Sequence, residues 1–383
     1  MEFKALGTLV DRKIGYGIVQ PGQSVKNGVP VIKVNNIISG LYNINDLDTT
    51  TPENDAQYSR TRLAGGEVIL SVVGTIGKTA IVPNEFAGCN LVRATALIDI
   101  KTPWLAKWVK YYIDSTQGQI YITQNLNTTV QPTLNIKSLV EMPIPFYNES
   151  YMIKAVEILS ELDSKIELNK KINNNLEQQA KALYNQMFLA NASDDWTHGV
   201  LSDIADITMG QSPSGDSYNE DGEGTIFYQG RAEFGSRFPT QRLCTTQPKR
   251  MACENDVLMS VRAPVGDLNV AREDCCIGRG LASIRSKDNH QSFILYTMFA
   301  LQLELDKFNG EGTVFGSINR DSLNKMPIII PSIDIMDQFE SIVAPMDAQI
   351  RSNHEENLRL EAIRDALLSK LMSGELDVSE VDI

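Results

Sequence analysis

The chain has 383 residues, of which 42% are hydrophobic and 22% are charged, and its formal net charge is −13. This composition is typical of a folded protein with two or three domains and excludes a disordered chain. No run of about 18 apolar residues is present, so the sequence predicts no transmembrane helix. The N-terminal residues Met1–Gly7 contain no apolar core and no cleavage site, so they do not predict a signal peptide.

The first half of the chain predicts a mixed α and β domain. Val68–Val73 is a short apolar run of the kind that forms a buried strand. Trp104–Tyr121 has helical periodicity, and Pro103 precedes it, at the first helical position, where proline is favoured. Met142–Pro145 contains two prolines, which exclude a helix, so we expect an extended segment that closes the domain.

The second half of the chain repeats the first. Three blocks correspond, with offsets of 189, 186 and 184 residues: Glu67–Gly77 with Asp256–Gly266, Leu91–Ala96 with Ile277–Ala282, and Thr129–Ile144 with Thr313–Ile328. In the last block 8 of 16 positions are identical. Loops of different length between two copies produce such a stepwise change of offset. The strand, helix and closing segment expected in the second copy are Val257–Val261, Phe293–Phe308 and Met326–Pro331.

A run with coiled-coil periodicity follows each domain. Its buried positions alternate in steps of three and four residues. In the first run they are Leu159, Leu162, Ile166, Asn169, Asn173, Leu176, Ala180, Leu183 and Met187. Adding 184 to each number gives Val343, Met346, Ile350, Asn353, Asn357, Leu360, Arg364, Leu367 and Leu371. Each run predicts a helix of about 38 residues, roughly 57 Å long, and Arg364 in place of Ala180 is the one clear departure.

Two asparagines interrupt each of these apolar series. Because an asparagine that faces leucine leaves a buried amide unpaired, paired asparagines fix the register of two helices. In an antiparallel arrangement Asn169 faces Asn357 and Asn173 faces Asn353. The alternative is that these side chains border solvent. We expect an α+β fold in which two similar α/β domains are separated by an antiparallel coiled coil, with pseudo-two-fold symmetry within the chain.

The expected domains have uneven charge. They are residues 1–150 (first globular domain), 151–192 (first spacer helix), 193–332 (second globular domain) and 333–383 (second spacer helix and acidic tail). The last segment carries 4 basic and 12 acidic residues, whereas the first carries 13 and 12. The acidic end is either a solvated face or a surface that binds a protein partner, and its negative charge disfavours contact with nucleic acid.

The sequence predicts no catalytic or metal site. Gly74–Thr79 resembles a phosphate-binding loop, but the required first glycine is replaced by Val72, and the second copy has neither lysine nor threonine. The three histidines have no metal-ligand spacing. The five cysteines include no CxxC pair, which favours a reduced, cytoplasmic protein. A binding protein is therefore favoured over an enzyme.

Several duplicated segments carry a resemblance to a known family. They are Leu162–Glu177 with Met187-Phe188, the blocks Thr129–Ile144 and Thr313–Ile328, and the segments Ile226–Gly235 and Gly278–Ala282. In this order they resemble the specificity subunit of Type I restriction–modification systems. The first is similar to that family's central conserved helix, and the others are similar to parts of its target-recognition domains. The resemblance covers essentially the whole chain.

The resemblance implies a function without catalysis. Each recognition domain would read one half of a bipartite, asymmetric site in double-stranded DNA, and the coiled coil would set the gap between the halves. Two adenine methyltransferase subunits that use S-adenosylmethionine would dock on the chain, and restriction subunits that use ATP and Mg²⁺ would add cleavage. The chain itself would bind no cofactor. Because phosphate neutralisation dominates DNA affinity, we expect the acidic chain alone to bind DNA weakly.

Base reading uses arginine or lysine for guanine and asparagine or glutamine for adenine. On this basis the expected DNA contacts of the first domain are Lys33, Asn35, Asn36, Arg60, Arg62 and Lys78. Those of the second domain are Gln229, Arg231, Arg237, Arg242 and Arg262. For each residue the alternative is a surface position without a DNA contact. Thr129, Gln131, Thr313 and Ser317 are expected to cap turns, with phosphate contact as the alternative.

Two other functions fit parts of the sequence. A coiled-coil scaffold that displays two protein-binding modules would also explain the acidity, but it would confer no sequence-dependent methylation on DNA. An enzyme with an unrecognised site, such as a methyltransferase or a nuclease, would show activity as the isolated chain.

Overall fold

The computed structural model describes residues 2–41, 43–127, 131–193, 195–310 and 316–378. The chain falls into two compact units, unit 1 (Met1–Leu168 and Glu356–Ile383) and unit 2 (Asn169–Glu355). Each unit combines strands and short helices with one part of each of two long helices. The expected fold class, two similar mixed domains with two long helices, is confirmed.

Unit 1 contains eleven named strands in its described part. They are β1 (Glu2–Ala5), β2 (Gly15–Tyr16), β3 (Val29–Ile32), β4 (Asp48–Thr50), β5 (Val68–Ser71), β6 (Thr79–Ile81), β7 (Asn90–Leu91), β8 (Thr95–Ile98), β9 (Leu126–Asn127), β10 (Thr133–Leu134) and β11 (Pro143–Phe146). Its helices are α1 (Val34–Ser39), α2 (Pro52–Gln57), α3 (Pro103–Asp114), α4 (Thr116–Gln124), α5 (Ile136–Val140) and the first part of α6 (Glu149–Tyr184).

Unit 2 begins within α6, which continues as a π-helical segment, Asn185–Ala190. The strands that follow are β12 (Thr197–Val200), β13 (Ala205–Met209), β14 (Tyr218–Asn219), β15 (Thr225–Tyr228), β16 (Leu243–Thr245), β17 (Met251–Ala252), β18 (Val257–Ser260), β19 (Leu268–Val270), β20 (Cys275–Ile277), β21 (Leu281–Ser286) and β22 (Pro327–Ile330). The helices are α7 (Leu201–Ile204), α8 (Gln291–Ala300), α9 (Gln302–Asp306), α10 (Arg320–Asn324) and α11 (Ile333–Ser373), whose last part belongs to unit 1.

The two units share one sheet topology. An antiparallel four-stranded sheet has the order β2-β8-β5-β6 in unit 1 and β13-β21-β18-β19 in unit 2. A second sheet contains one parallel pair, β3 with β7 in unit 1 and β15 with β20 in unit 2. The segment that closes each domain pairs with its first strand, as β1-β11 and β12-β22. The sequence repeat is therefore a repeat of structure.

Identical residues of the repeated blocks have identical structural roles. Asn135 accepts a hydrogen bond from the backbone N–H of Ser138 at 3.1 Å and so caps α5. Asn319 accepts the same bond from Ser322 at 2.9 Å and caps α10. A side-chain oxygen at this position satisfies a backbone donor that has no partner within the helix. The repeat of these two asparagines is thus explained by helix initiation.

The predicted helix Trp104–Tyr121 is two helices, which is a correction. Ser115 has an extended backbone conformation, with ψ of 161°, and ends α3. Its hydroxyl then accepts a hydrogen bond from the N–H of Gly118 at 3.2 Å and caps α4. The helix expected at Phe293–Phe308 is likewise divided, into α8, α9 and the 3-10 turn Lys307–Asn309. A capping residue can end one helix and begin the next while the helical spacing of the apolar residues continues across it. The apolar pattern alone therefore does not reveal the break.

The two long helices are antiparallel within each unit. In unit 1 the Tyr151 hydroxyl donates to the Leu371 carbonyl at 2.9 Å, and Arg364 contacts Asp163 at 3.1 Å. Later positions of α6 therefore contact earlier positions of α11, which shows that the two helices run in opposite directions. Helix α11 contains Pro345 and has 41 residues, so it is about 62 Å long.

Among the described residues, none of the helices combines the length and the hydropathy that crossing a bilayer requires.

Candidate nucleic-acid interface

A cleft of about 250 Å³ in unit 2 brings together loops that follow several strands. It is lined by Ser212, Gln229, Gly230, Arg231, Ser260, Arg262, Ala263, Arg279 and Gly280. Three of the nine lining residues are arginines, and Gln229 and the two serines add neutral polar groups. The cleft is therefore rich in hydrogen-bond donors and has positive charge, as a surface for phosphates and base edges needs.

A parallel strand pair positions two of these loops. Strands β15 and β20 run in the same direction, so the residues that follow them, Gln229 and Gly278, lie at the same edge of the sheet. The N–H of Gly278 donates to the Tyr228 carbonyl at 2.8 Å. A Cβ atom at position 278 would come within 2.7 Å of the Gln229 carbonyl oxygen, so only glycine permits this close approach. The close approach places Arg279 beside the segment that carries Arg231.

A turn that occurs in both units forms another wall of the cleft. In unit 2 the Ser260 hydroxyl donates to the Pro264 carbonyl at 2.7 Å and accepts from the Asp267 N–H at 2.9 Å. In unit 1 the Ser71 hydroxyl makes the same two bonds, to the Thr75 carbonyl and from the Lys78 N–H. The segment that resembles a phosphate-binding loop is thus a turn held by one serine hydroxyl. The residue that ends it differs between the units.

The three arginines of the cleft have different surroundings. Arg231 Nε lies 2.6 Å from an Asp267 carboxylate oxygen. Arg262 and Arg279 are exposed and form no ion pair with any described residue. Gln229 is also exposed. The structure therefore brings together three of the expected DNA contacts of the second domain, Gln229, Arg231 and Arg262.

Arg237 was expected to contact DNA, and the structure corrects this. Its side chain is 8% exposed, and its terminal nitrogens lie 2.5 Å from Asp347 and 3.3 Å from Glu177. The guanidinium also lies 5.7 Å from the centre of the Tyr296 ring. Burial acts to lower the pKa of Arg237, but the neighbouring carboxylates outweigh it and the pKa is raised. A buried guanidinium with two carboxylate partners cannot reach a base edge.

Arg242 is exposed but paired. Its guanidinium donates to the buried carboxylate of Glu233 at 2.9 Å, and this interaction raises its pKa. The second oxygen of Glu233 accepts from the Gly230 N–H at 3.3 Å and caps the 3-10 turn Arg231–Glu233. Arg242 therefore supports the turn that carries Arg231, and it lies outside the cleft lining.

The expected contacts of unit 1 divide into supporting and exposed residues. Asn36 accepts from the Lys33 N–H at 2.7 Å and so caps α1, and Lys33 Nζ lies 2.5 Å from Asp48. Arg62 pairs with the buried carboxylate of Asp55. These pairs stabilise the loops around β3 and β4. The side chains of the remaining three residues are exposed: Asn35, Arg60 and Lys78.

Sequence reasoning missed one residue in each unit. Arg279 lines the cleft of unit 2, and Arg93 occupies the corresponding exposed position between β7 and β8 in unit 1. The signal was present, because both arginines belong to the second repeated block, which has an offset of 186. Because an arginine follows the end of a strand at the same position in both copies, the sequence repeat alone could have identified this loop in each unit.

Of the residues considered for turns, Thr129 and Thr313 lie outside the described residues. Ser317 is exposed and pairs through its backbone with Arg262 at the rim of the cleft. In the part of the chain that the structure describes, no group of three or more His, Cys, Asp or Glu side chains could hold a metal ion.

Asparagines connect the long helices within each unit. In unit 2 the Asn353 amide donates to the Asn173 side-chain oxygen at 2.7 Å, and the Asn173 amide donates to the Ile350 carbonyl at 3.1 Å. In unit 1 the Asn357 amide donates to the Ile166 carbonyl at 3.3 Å. Asn169 is buried. The structure thus places Asn173 against Asn353, whereas the pairing of Asn169 with Asn357 remains a prediction.

We expect Asn353→Leu to lower the free energy of unfolding of unit 2 by about 1–3 kcal/mol, because the side-chain oxygen of the partly buried Asn173 then loses its donor. The double variant with Asn173→Leu is expected to recover most of this loss, since both polar groups are gone. Urea unfolding of the two single variants and the double variant forms a double-mutant cycle. Additive effects of the two substitutions would show that the two amides are not coupled.

Comparison with known proteins gives a consistent result. A family model described as "Type I restriction modification DNA specificity domain" matches residues 2–178 and 193–362. A putative type I restriction enzyme MjaX specificity subunit from Methanocaldococcus jannaschii is 27% identical, over 95% of this chain and 91% of that protein. The type I restriction enzyme EcoBI specificity subunit from Escherichia coli is 31% identical, over 43% of this chain and 35% of that protein.

A solved structure supports the fold. The S subunit of a Type I restriction–modification system from M. genitalium is 16% identical and has a TM-score of 0.54, with coverage of 96% of this chain and 95% of that one. At this identity the likeness concerns the architecture alone.

Proposed function

This chain belongs to the Type I restriction modification DNA specificity family and is a DNA sequence-recognition protein; we propose that each unit reads one half of a bipartite, asymmetric double-stranded site. The family model matches the chain twice, once over each unit's globular part. The observation that carries the proposal is the shared sheet topology, with an exposed arginine at the same loop of each unit, Arg93 and Arg279. Two copies of one recognition domain that carry different side chains at this surface would recognise two different half-sites.

The chain would act without catalysis and within a complex. We propose that two adenine methyltransferase subunits dock on it and bring S-adenosylmethionine, and that restriction subunits bring ATP and Mg²⁺. The chain would bind none of these cofactors, and the complex would work in the cytoplasm. With a net charge of −13, the chain gains little from phosphate neutralisation, so basic surfaces of its partners would supply much of the affinity.

An exchange of domains tests the proposal. The chain is co-expressed with the methyltransferase encoded beside it in a host without DNA methylation, and modified adenines are mapped by long-read sequencing. We expect a two-part motif with a fixed gap. Replacing residues 195–332 by the corresponding residues of a relative should change one half of the motif, and replacing residues 1–150 should change only the other half.

The outcome separates this function from its alternatives. A stable complex that methylates no motif would contradict the proposal and favour the coiled-coil scaffold. Methyl transfer by the isolated chain from labelled S-adenosylmethionine would show instead that the chain is an enzyme.

A further inference from the structure

The Arg231 guanidinium forms an ion pair with Asp267 through its Nε atom. Its Nε lies 2.6 Å from an Asp267 oxygen, and the two side chains are 48% and 37% exposed. No described residue accepts a hydrogen bond from its terminal nitrogens. A guanidinium is planar and carries five N–H donors in a fixed fork, so a contact at Nε leaves the two terminal amino groups, with four N–H donors, for a ligand.

Asp267 itself lies in a rigid part of the fold. Its backbone N–H donates to the Ser260 hydroxyl at 2.9 Å, and Ser260 ends β18. The strand that follows Asp267, β19, pairs with β18 through Met259 and Leu268. The carboxylate therefore projects from a hairpin turn that the sheet holds rigidly. Groups that bind with specificity require such support, because a side chain that is free to rotate discriminates poorly.

The chemistry of the cleft favours a base edge with two acceptors. Guanine presents O6 and N7 in the major groove, and arginine matches both with two parallel hydrogen bonds. Cytosine presents an amino donor there and needs an acceptor. The carboxylate of Asp267 is already engaged by Arg231. The carboxylate of Glu233 is buried and is bound by Arg242 and the Gly230 N–H. Arg262 and Arg279 flank the cleft and are suited to phosphates, which carry no sequence information.

This arrangement belongs to unit 2 alone. In the repeated turn Ser71 corresponds to Ser260, but the position of Asp267 is taken by Lys78 in unit 1. Strands β3 and β15 end at equivalent positions, since Ile32 pairs with Leu91 as Tyr228 pairs with Ile277. Three residues beyond these ends, unit 1 has Asn35 and unit 2 has Arg231. The turn is common to both units, and the side chains on it differ in charge and donor pattern.

We propose that Arg231 reads a guanine in the half-site of unit 2 and that Asp267 is the residue that positions Arg231 for this contact. The inference rests on the proposed function and adds to it the identity of one base and the residue that reads it.

The test uses the complete chain in complex with its methyltransferase. Once the domain exchange has assigned one half of the motif to unit 2, duplexes with each of the four bases at each position of that half are compared by initial methylation rate. The wild-type complex should prefer guanine at one position by about 10-fold or more. Arg231→Ala and Arg231→Lys should both abolish that preference, since lysine keeps the charge but lacks the fork.

Asp267→Asn should weaken the same preference, and Asp267→Glu should retain part of it. Because the backbone N–H that binds Ser260 is kept, these variants leave the turn intact. Base preference in the other half of the motif should not change. Arg320→Ala, which removes one exposed positive charge of unit 2 outside the cleft lining, is the matched control and should leave all base preferences unchanged.

Three results would overturn the inference while the proposed function stands. The half-site of unit 2 contains no guanine, Arg231→Ala keeps the preference, or Arg231→Ala lowers the rate equally for all four bases, as loss of a phosphate contact would do. The proposed function fails in a different way, because exchange of residues 195–332 would then alter neither half.

Discussion

Replacing Phe339 by alanine is expected to lower the free energy of unfolding of unit 2 by about 3–5 kcal/mol, the range for removal of a buried aromatic ring from a well-packed core. Phe339 is 0% exposed. Its ring centre lies 5.2 Å from that of Phe188 and 5.8 Å from that of Tyr184, both near the end of the first long helix. It also contacts Phe293 and Tyr296 of α8. The ring therefore joins both long helices to the globular part of unit 2.

Hydrogen–deuterium exchange with mass spectrometry measures this effect, because peptides of unit 2 report its stability separately from that of unit 1. Ile342→Ala provides the matched control. Ile342 lies on the same helix, one turn from Phe339, but is 40% exposed, so its removal should change stability by no more than about 0.5 kcal/mol. Equal effects of the two substitutions would show that the aromatic cluster does not hold unit 2 together.

The sequence predicted the fold because the chain contains its structural elements twice. Asn135 and Asn319 cap equivalent helices, and Ser71 and Ser260 close equivalent turns. Each of these interactions is local, since the side chain forms a hydrogen bond with a backbone group only a few residues away. Local interactions leave a pattern in the sequence, and a pattern that occurs twice can be recognised without any knowledge of the tertiary structure.

The candidate site was predicted only in part, because exposure and pairing are tertiary properties. Arg231 and Arg237 are both basic residues in one loop region, and nothing local distinguishes them. The structure places Arg231 in the cleft, whereas Arg237 pairs with Asp347, which is 110 residues away. Partners so distant in sequence leave no spacing signal. The partner of an arginine therefore cannot be found by residue type alone.

The one departure between the two coiled-coil series has a structural explanation. Asp163 and Asp347 are equivalent under the repeat, and each accepts a hydrogen bond from a tyrosine hydroxyl, Tyr111 at 2.8 Å and Tyr296 at 3.0 Å. Each carboxylate also has an arginine partner. In unit 1 this is Arg364 of α11, where the other series has Ala180. In unit 2 the arginine comes from the globular part.

Arg237→Met is expected to lower the free energy of unfolding of unit 2 by about 3–5 kcal/mol, because it leaves the largely buried carboxylate of Asp347 without its cation. Glu177 keeps Lys181 as a partner, so most of the loss comes from Asp347. Methionine retains most of the apolar stem, so the loss reports the charge rather than a cavity. The measurement is again exchange protection in unit 2 peptides. Arg364→Met is the control in unit 1 and should have a smaller effect, since Arg364 and Asp163 are both more exposed than Arg237 and Asp347.

The loss caused by Arg237→Met should also depend on pH in a defined direction. Burial raises the pKa of the Asp347 carboxyl, and Arg237 opposes this. Without Arg237 the pKa in the folded state rises further. A carboxyl with a higher pKa in the folded than in the unfolded chain stabilises the fold below its unfolded pKa, and this contribution is lost as the pH rises through the folded pKa. The stability difference between wild type and variant should therefore narrow as the pH falls from neutral towards the pKa of an aspartate in the unfolded chain. A difference that widens as the pH falls would show that Asp347 does not take up the proton.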